Sequence, residues 1–341
     1  MIEIDGSYGE GGGQILRTAI SLSTLTKTPI KITKIRANRP NPGIKPQHYI
    51  SIMSIKELCN AEAKGLEIGS PTLTFKPGEF ESGDYTFDIG TAGSITLVYQ
   101  AIILASIKTK KPVSIRLNGG TDVKWSPPWD YFKHVFLPLL KKMGISIEAE
   151  LVKRGYYPKG GGETVITVYP SEKIKPLQLD KDQENPDVKG LVHIGSLPEH
   201  ISTRTKNAAI KTLLRNDIMA SVEVKHSDSL SPGTGVTLWN ETKDTIIGTD
   251  CLGERSITSE ELGKTVANNL LKELESESTL DEHAFDQLIP YMALAKENGP
   301  STSRVQNITN HAQTNMWLVQ QFFDINFQAK QEEKHMIVTI N

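Results

Sequence analysis

The order in which strand-like and helix-like segments follow one another constrains this chain more than any single motif does. Ile2-Glu3-Ile4 alternates as a half-buried strand does. Over residues 13–25, Ile15, Leu16, Ala19, Ile20 and Leu22 recur at helical spacing. A strand over 29–35, a helix over 47–61 and two short strands ending near Phe75 complete one unit. The order then returns: strand 85–89, helix 92–107, strand 113–117, helix 129–143, and strands 145–151 and 163–169. From about 278 to the end it fits again, with a helix over 284–295, a strand over 304–308, a helix starting around His311, and strands ending at 336–340. No residue-level repeat accompanies it. Element order therefore predicts an α+β fold of three repeated βαβαββ units.

A different segment interrupts the pattern. Residues 180–187 are polar and turn-rich, as a linker is. After them come strands at 191–194, 220–224, 235–239 and 245–248, a helix over 203–215 and another over 259–275. This predicts an inserted α+β domain over 183–277, with the catalytic domain formed by 1–182 and 278–341.

A chain of 341 residues suits two domains. With 38% hydrophobic and 23% charged residues it can bury an ordinary core. No apolar stretch reaches membrane-spanning length, and the first residues lack the basic-then-apolar pattern of a signal peptide. Cys59 and Cys251 are too few for a disulfide scaffold or a cysteine zinc site. These features point to the cytoplasm and to no membrane. The net charge of −2 excludes a protein that coats long nucleic acid, so any such contact is local, as at a chain end.

Within this frame His311 stands out. Val305 and Ile308 suit the end of a strand, and Ala312, Met316, Val319 and Phe323 recur helically after it. Asn310 is the expected N-cap, with Gln313 placed as in a capping box. His311 then occupies the first turn, where free N–H groups disfavour a proton on imidazole and welcome a phosphate. A neutral imidazole there can attack phosphorus. Local context alone equally suits an ordinary surface histidine.

Other segments add to this. Asp5-Gly6-Ser7-Tyr8-Gly9-Glu10-Gly11-Gly12-Gly13-Gln14 joins a strand to a helix, as a tight turn or as an anion cradle. It matches neither common phosphate-loop pattern. Arg36, Arg39, Lys45, Gln47 and His48 crowd one loop that Pro40, Pro42 and Pro46 keep extended, with Arg17 near enough to join them. Such a cluster is a solvated surface or a grip on a terminal phosphate. Gly119-Gly120-Thr121-Asp122 ends a strand, and the glycines at 160–162 suit a hairpin connection. His283-Ala284-Phe285-Asp286-Gln287 opens a helix and suits either nucleobase binding or helix packing.

Together these segments closely resemble the RNA 3′-terminal phosphate cyclase family, nearly end to end. The most specific parts are Asp5-Gly6 with Gly9 to Arg17, Ile35-Arg36-Ala37 with Gln47-His48, Gly119 to Asp122, Tyr156-Tyr157-Pro158 with the triple glycine, and His311 with Thr314-Asn315. The resemblance implies a βαβαββ unit like the C-terminal domain of bacterial translation initiation factor three, with a smaller insert. It implies ATP-dependent conversion of an RNA 3′-phosphate into a 2′,3′-cyclic phosphodiester. The family's nucleophile falls on His311, which would carry AMP. ATP contacts fall on Gln100 and on His283, Ala284, Phe285, Asp286 and Gln287. The metal, Mg²⁺ or Mn²⁺, falls to Glu10 with Asp286. The RNA phosphate falls to Arg17, Arg36, Arg39 and Gln47. Many members carry tyrosine where this chain has His283. Two other readings are a non-catalytic relative, which would lack the nucleophile, and an enolpyruvyl transferase, whose motifs are absent.

Overall fold

The computed structural model describes residues 1–90, 92–179 and 186–341. Most of the expected 180–187 link, and with it the 182/183 boundary, lies outside the described residues. In the first part β1 (Ile2–Asp5), α1 (Gly13–Thr26), β2 (Ile30–Thr33), α2 (Pro46–Leu58), β3 (Glu62–Lys64) and β4 (Leu73–Lys76) follow in turn. β1 runs parallel to β2, β2 antiparallel to β4, and β4 antiparallel to β3. Alternation decides which face is buried: Ile30 pairs with Phe75 and Ile32 with Leu73, and all four are sealed from solvent.

The second part holds β5 (Asp84–Asp88), α3 (Ile95–Ser106), β6 (Val113–Gly119), α4 (Trp129–Tyr131), α5 (Leu137–Lys142), β7 (Ile147–Lys153) and β8 (Gly162–Val168). Its sheet order, β5-β6-β8-β7, and its strand directions match those of the first. The expected helix over 129–143 carries a π-turn at Phe132–Phe136. Pro138, which has no N–H to give, sits just after it and accounts for the interruption.

A third sheet pairs β9 (Gln178–Leu179) with residues more than a hundred positions later. Between them lie β10 (Val188–Gly195), α6 (His200–Leu214), β11 (Ala220–Ser227), β12 (Gly233–Glu241), β13 (Ile246–Leu252) and α7 (Ser259–Glu275). After them come α8 (Glu282–Ala295), β14 (Ser301–Val305), α9 (Asn310–Gln320), β15 (Phe327–Gln331) and β16 (Met336–Ile340). The third order, β9-β14-β16-β15, has the same directions again. Its first strand precedes the intervening segment, which therefore interrupts this sheet's unit after one strand instead of falling between units. The strand expected at 304–308 lies three residues earlier, because its pairing with β16 ends at Val305.

Helices from the three sheets pack on one another, α1 against α2, α3 and α9, and α8 against α9. α3 is buried on nearly every side, as an apolar helix at a centre must be. The intervening elements keep a core of their own, where Val192, Leu213, Val236 and Leu238 meet Leu262, Val266 and Leu270. No helix among the described residues is long and apolar enough to cross a membrane.

Candidate active site

Three helix N-termini meet beside the glycine loop. α1 starts after Gly12 with no side-chain cap and no acid in its first turn, so its first N–H groups stay available. α2 starts beside it. A Cβ on Gly13 would lie 1.9 Å from His48 Nε2, so only glycine allows this approach. α9 brings His311 to α1: Nδ1 lies 2.8 Å from Gln14 Oε1 and Nε2 3.2 Å from Glu10 Oε2. Tyr8 stacks on Trp317 with ring centroids 3.9 Å apart, pinning the loop to α9.

The cap of α9 differs from the expectation. Thr309, not Asn310, is the N-cap, accepting the Ala312 N–H at 3.0 Å. The Thr309 hydroxyl is also held by Asp286, to which it donates at 2.6 Å. With that threonine fixed, Asn310 is already helical, and its carbonyl accepts the Thr314 hydroxyl at 2.7 Å. His311 remains in the first turn.

Cations gather on the same side. Arg39 donates to Glu10 from Nη2 at 3.0 Å and to the Glu10 carbonyl from Nε at 3.1 Å. Buried His48 is pushed down to about 3 by burial and by Arg17, Arg36 and Lys45, so it stays neutral among three cations. Arg17 points into a cavity and is lowered to about 10 by desolvation, which leaves it charged at neutral pH. Burial and Arg39 lower Arg36 as well. Gln47 lies partly exposed in the first turn of α2. Uncapped N–H groups at the start of α1 and three arginines with few carboxylates are what an anion would favour.

The cavity measures about 410 Å³, the range of a small-ligand pocket. Gln14, Arg17, Gln100, His283, Asp286, Gln287 and His311 all line it. Gln100 donates to Gln287 at 2.6 Å, and Asn315 donates to the Asp286 carbonyl at 2.7 Å. Leu97, Ala101, Leu104 and Pro290 give it an apolar wall. Ala284 and Phe285 do not face it. Both are fully buried in the core, so of the two readings of residues 283–287 Phe285 takes helix packing. Arg36, Arg39, Gln47 and Glu10 lie outside the cavity wall, on the glycine-loop side.

Two carboxyls in this wall are perturbed. Asp286 is pushed up to about 7, chiefly by burial, against the opposing Thr309 hydrogen bond. Asp250, on β13, is also pushed up to about 7 by burial despite nearby His283. Nothing local in the sequence marked Asp250, because the fold brings it from the intervening segment. The Asp281 carboxylate holds that junction together. It caps α8, accepts the Tyr131 hydroxyl at 2.5 Å and accepts the Gly248 N–H at 3.0 Å. On His311, burial lowers the ring's affinity for a proton, Glu10 raises it, and Arg17, Arg39 and His283 lower it; the net direction is down.

Glu10 and Asp286 offer hard oxygen donors, and Mg²⁺ is commonly held by one or two carboxylates together with substrate phosphates. They form no three-ligand cage. Among the described residues the only such group is Asp122, Asp130 and His193, and there the cation is the Arg154 guanidinium, which bonds both aspartates.

Residues 8–329 match the family model described as RNA 3′-terminal phosphate cyclase. The RNA 3′-terminal phosphate cyclase of Pyrococcus furiosus is 44% identical over 330 residues, covering 97% of this chain and 95% of its own. That of Methanopyrus kandleri is 42% identical over 340 residues, covering 98% and 96%. That of Methanosarcina barkeri is 42% identical over 341 residues and covers both chains completely.

Proposed function

The chain belongs to the RNA 3′-terminal phosphate cyclase family, and from that premise we propose that it converts an RNA 3′-phosphate into a 2′,3′-cyclic phosphodiester at the expense of ATP, through a His311–AMP intermediate. One observation carries the reading: a low-affinity imidazole at a helix start lines the same cavity as Arg17, Gln100 and Gln287. Gln14 Oε1 at Nδ1 favours the tautomer whose lone pair is on Nε2, whereas Glu10 Oε2, 3.2 Å from Nε2, favours a proton there, so attack requires Glu10 to release Nε2. Nε2 attacks the α-phosphorus of ATP and pyrophosphate leaves. An oxygen of the RNA 3′-phosphate then attacks the P–N bond's phosphorus, returning the electron pair to Nε2. Last, the neighbouring 2′-hydroxyl attacks the RNA phosphorus, losing its proton, and AMP departs. That closure is intramolecular and gains from proximity. Charge builds on phosphoryl oxygens throughout, where N–H groups and arginines are already aimed.

We assign ATP contacts to Gln100, His283, Asp286 and Gln287, and the RNA phosphate to Arg17, Arg36, Arg39 and Gln47. Glu10 and Asp286 would hold Mg²⁺ or Mn²⁺, whose charge neutralises the triphosphate when bound. The matching topology of the three sheets supports three βαβαββ units, and the separate core supports an inserted domain over 183–277. An RNA substrate and ATP both suit the cytoplasm.

The test uses a labelled RNA bearing a 3′-phosphate. With protein, metal and ATP its end becomes phosphatase-resistant; without ATP it does not, and a 3′-hydroxyl or 2′-deoxy end stays unchanged. Equal conversion of 3′-phosphate and 3′-hydroxyl ends rules the activity out.

A pH prediction follows from the electrostatics of His311. The protonated ring cannot attack, and burial with Arg17, Arg39 and His283 lowers its hold on a proton, so the acid limb of self-adenylylation lies below the ordinary imidazole range. Glu10→Gln removes the influence that favours the proton and moves the limb down. Arg39→Ala removes an opposing cation and moves it up. Limbs that shift together, or not at all, in pH–rate profiles overturn this account.

A further inference from the structure

Trp125 is the residue that nothing above explains. Of the four tryptophans, Trp129 and Trp239 are buried and Trp317 stacks on Tyr8. Trp125 is 96% exposed, yet it stands at the rim of the cavity that His311 lines. Its backbone is left-handed, with φ +62°. That conformation is an outlier for a bulky side chain and is kept only where the surroundings enforce it. They do so here. The Thr96 hydroxyl donates to the Pro127 carbonyl at 2.7 Å, and the Ser126 hydroxyl to the Val123 carbonyl at 2.9 Å. Lys124 pairs with Glu254 at 2.8 Å, and Pro127 and Pro128 stiffen the exit. A stapled loop thus holds a large indole out in solvent, where neither burial nor backbone preference favours it. Among the described residues no ring stacks on it.

We propose that Trp125 is a stacking platform for the base of the RNA's 3′-terminal nucleotide. This rests on the RNA reading above. An indole face takes any base, without reading its edge. The adenine of ATP is better housed deeper in the cavity, against the apolar wall of Leu97, Ala101, Leu104 and Pro290, whereas the indole stands at the rim with its faces in solvent. The charge balance points the same way. A chain with net charge −2 has no overall basic excess to hold an RNA backbone, so its grip beyond the end phosphate gains from contacts that do not need charge.

The test compares the parent protein with Trp125→Ala and Trp125→Phe, using short 3′-phosphorylated RNAs that are intact or abasic at the last or next-to-last nucleotide. Parent protein that neither labels itself with ATP nor cyclises RNA would undo the functional reading, not this one. Given an active parent, Trp125→Ala raises KM for intact RNA by roughly five- to a hundredfold, and Trp125→Phe restores much of it. The loss persists at raised salt, as stacking does and phosphate contacts do not. Self-adenylylation without RNA keeps its rate, which also shows that the variant folds. Removing the last base raises KM for the parent and leaves Trp125→Ala nearly unmoved. The proposal is overturned by any of three results: an unchanged KM in Trp125→Ala, self-adenylylation slowed as much as cyclisation, or sensitivity confined to the next-to-last base.

Discussion

His311→Ala will take up no acid-labile, alkali-stable label from α-labelled ATP, and its cyclisation rate will fall on the order of 10⁴-fold or more, as when other enzymes lose a nucleophile. The loss should be this deep because no neighbouring imidazole can stand in. His48 is buried with Nε2 against Gly13, and its pKa near 3 makes it a weak nucleophile. His283 lines the same cavity from α8, but it lacks the Gln14 and Glu10 contacts that hold the His311 ring. Stability should hardly change, since the His311 side chain is half exposed and leaves no void when trimmed. ATP should still bind, because Gln100 and Gln287 hold each other and do not depend on the ring. A folded, ATP-binding, label-free variant is therefore expected. If His311→Ala labels as well as the parent, the nucleophile is some other residue.

The site was more legible in the sequence than the scaffold that builds it. His311, the glycine loop and Arg39 were visible because each lies in a dense local motif, and the fold brings them into contact. α7 was legible end to end, since Thr258 and Glu261 form a capping box at its start. At α9 two candidate caps stand side by side, and only the hydrogen bond from Thr309 to Asp286, 23 positions away, selects between them. β9 was invisible for a different reason. Two residues cannot show a period, and the partner strand lies across the intervening segment. Residues 283–287 suited nucleobase binding or helix packing alike, because sequence does not say which way a helix turns its side chains, and Phe285 is turned into the core. Asp250 and Trp125 depend on long-range packing and carry no local signature.

The same holds for Arg154, which no motif singled out and whose loss should be the most damaging to stability. It is 2% exposed and lies between two buried carboxylates. Nη1 donates to Asp122 at 3.0 Å, and Nη2 to both oxygens of Asp130, at 2.9 and 2.7 Å. Asp122 also takes the Thr121 hydroxyl at 2.6 Å and faces His193 of β10 at 3.4 Å, and His193 meets the Tyr156 hydroxyl at 2.8 Å. The network thus ties β10, and through it the separate second core, to the strands that carry the site. Burial alone would lower Arg154's hold on its proton, but the two aspartates more than offset it and raise its pKa above the usual value. His193 and Arg154 likewise hold Asp122 below its usual value in spite of burial. Arg154→Ala leaves two desolvated carboxylates facing each other, a defect that costs about 3–5 kcal/mol at neutral pH. Arg204→Ala breaks an exposed pair with Glu260 of good geometry, 2.7 and 2.8 Å, and should change little. The sign of the pH dependence separates this account from a simple packing loss. In the parent the depressed Asp122 contributes stability that is lost as pH falls. Without Arg154, burial raises Asp122, so protonation relieves the defect and the gap between parent and variant narrows as pH drops. Urea unfolding at pH 7 and pH 5 measures that gap directly. A gap that stays constant or widens on acidification would mean that Arg154 matters for its volume and not for its charge.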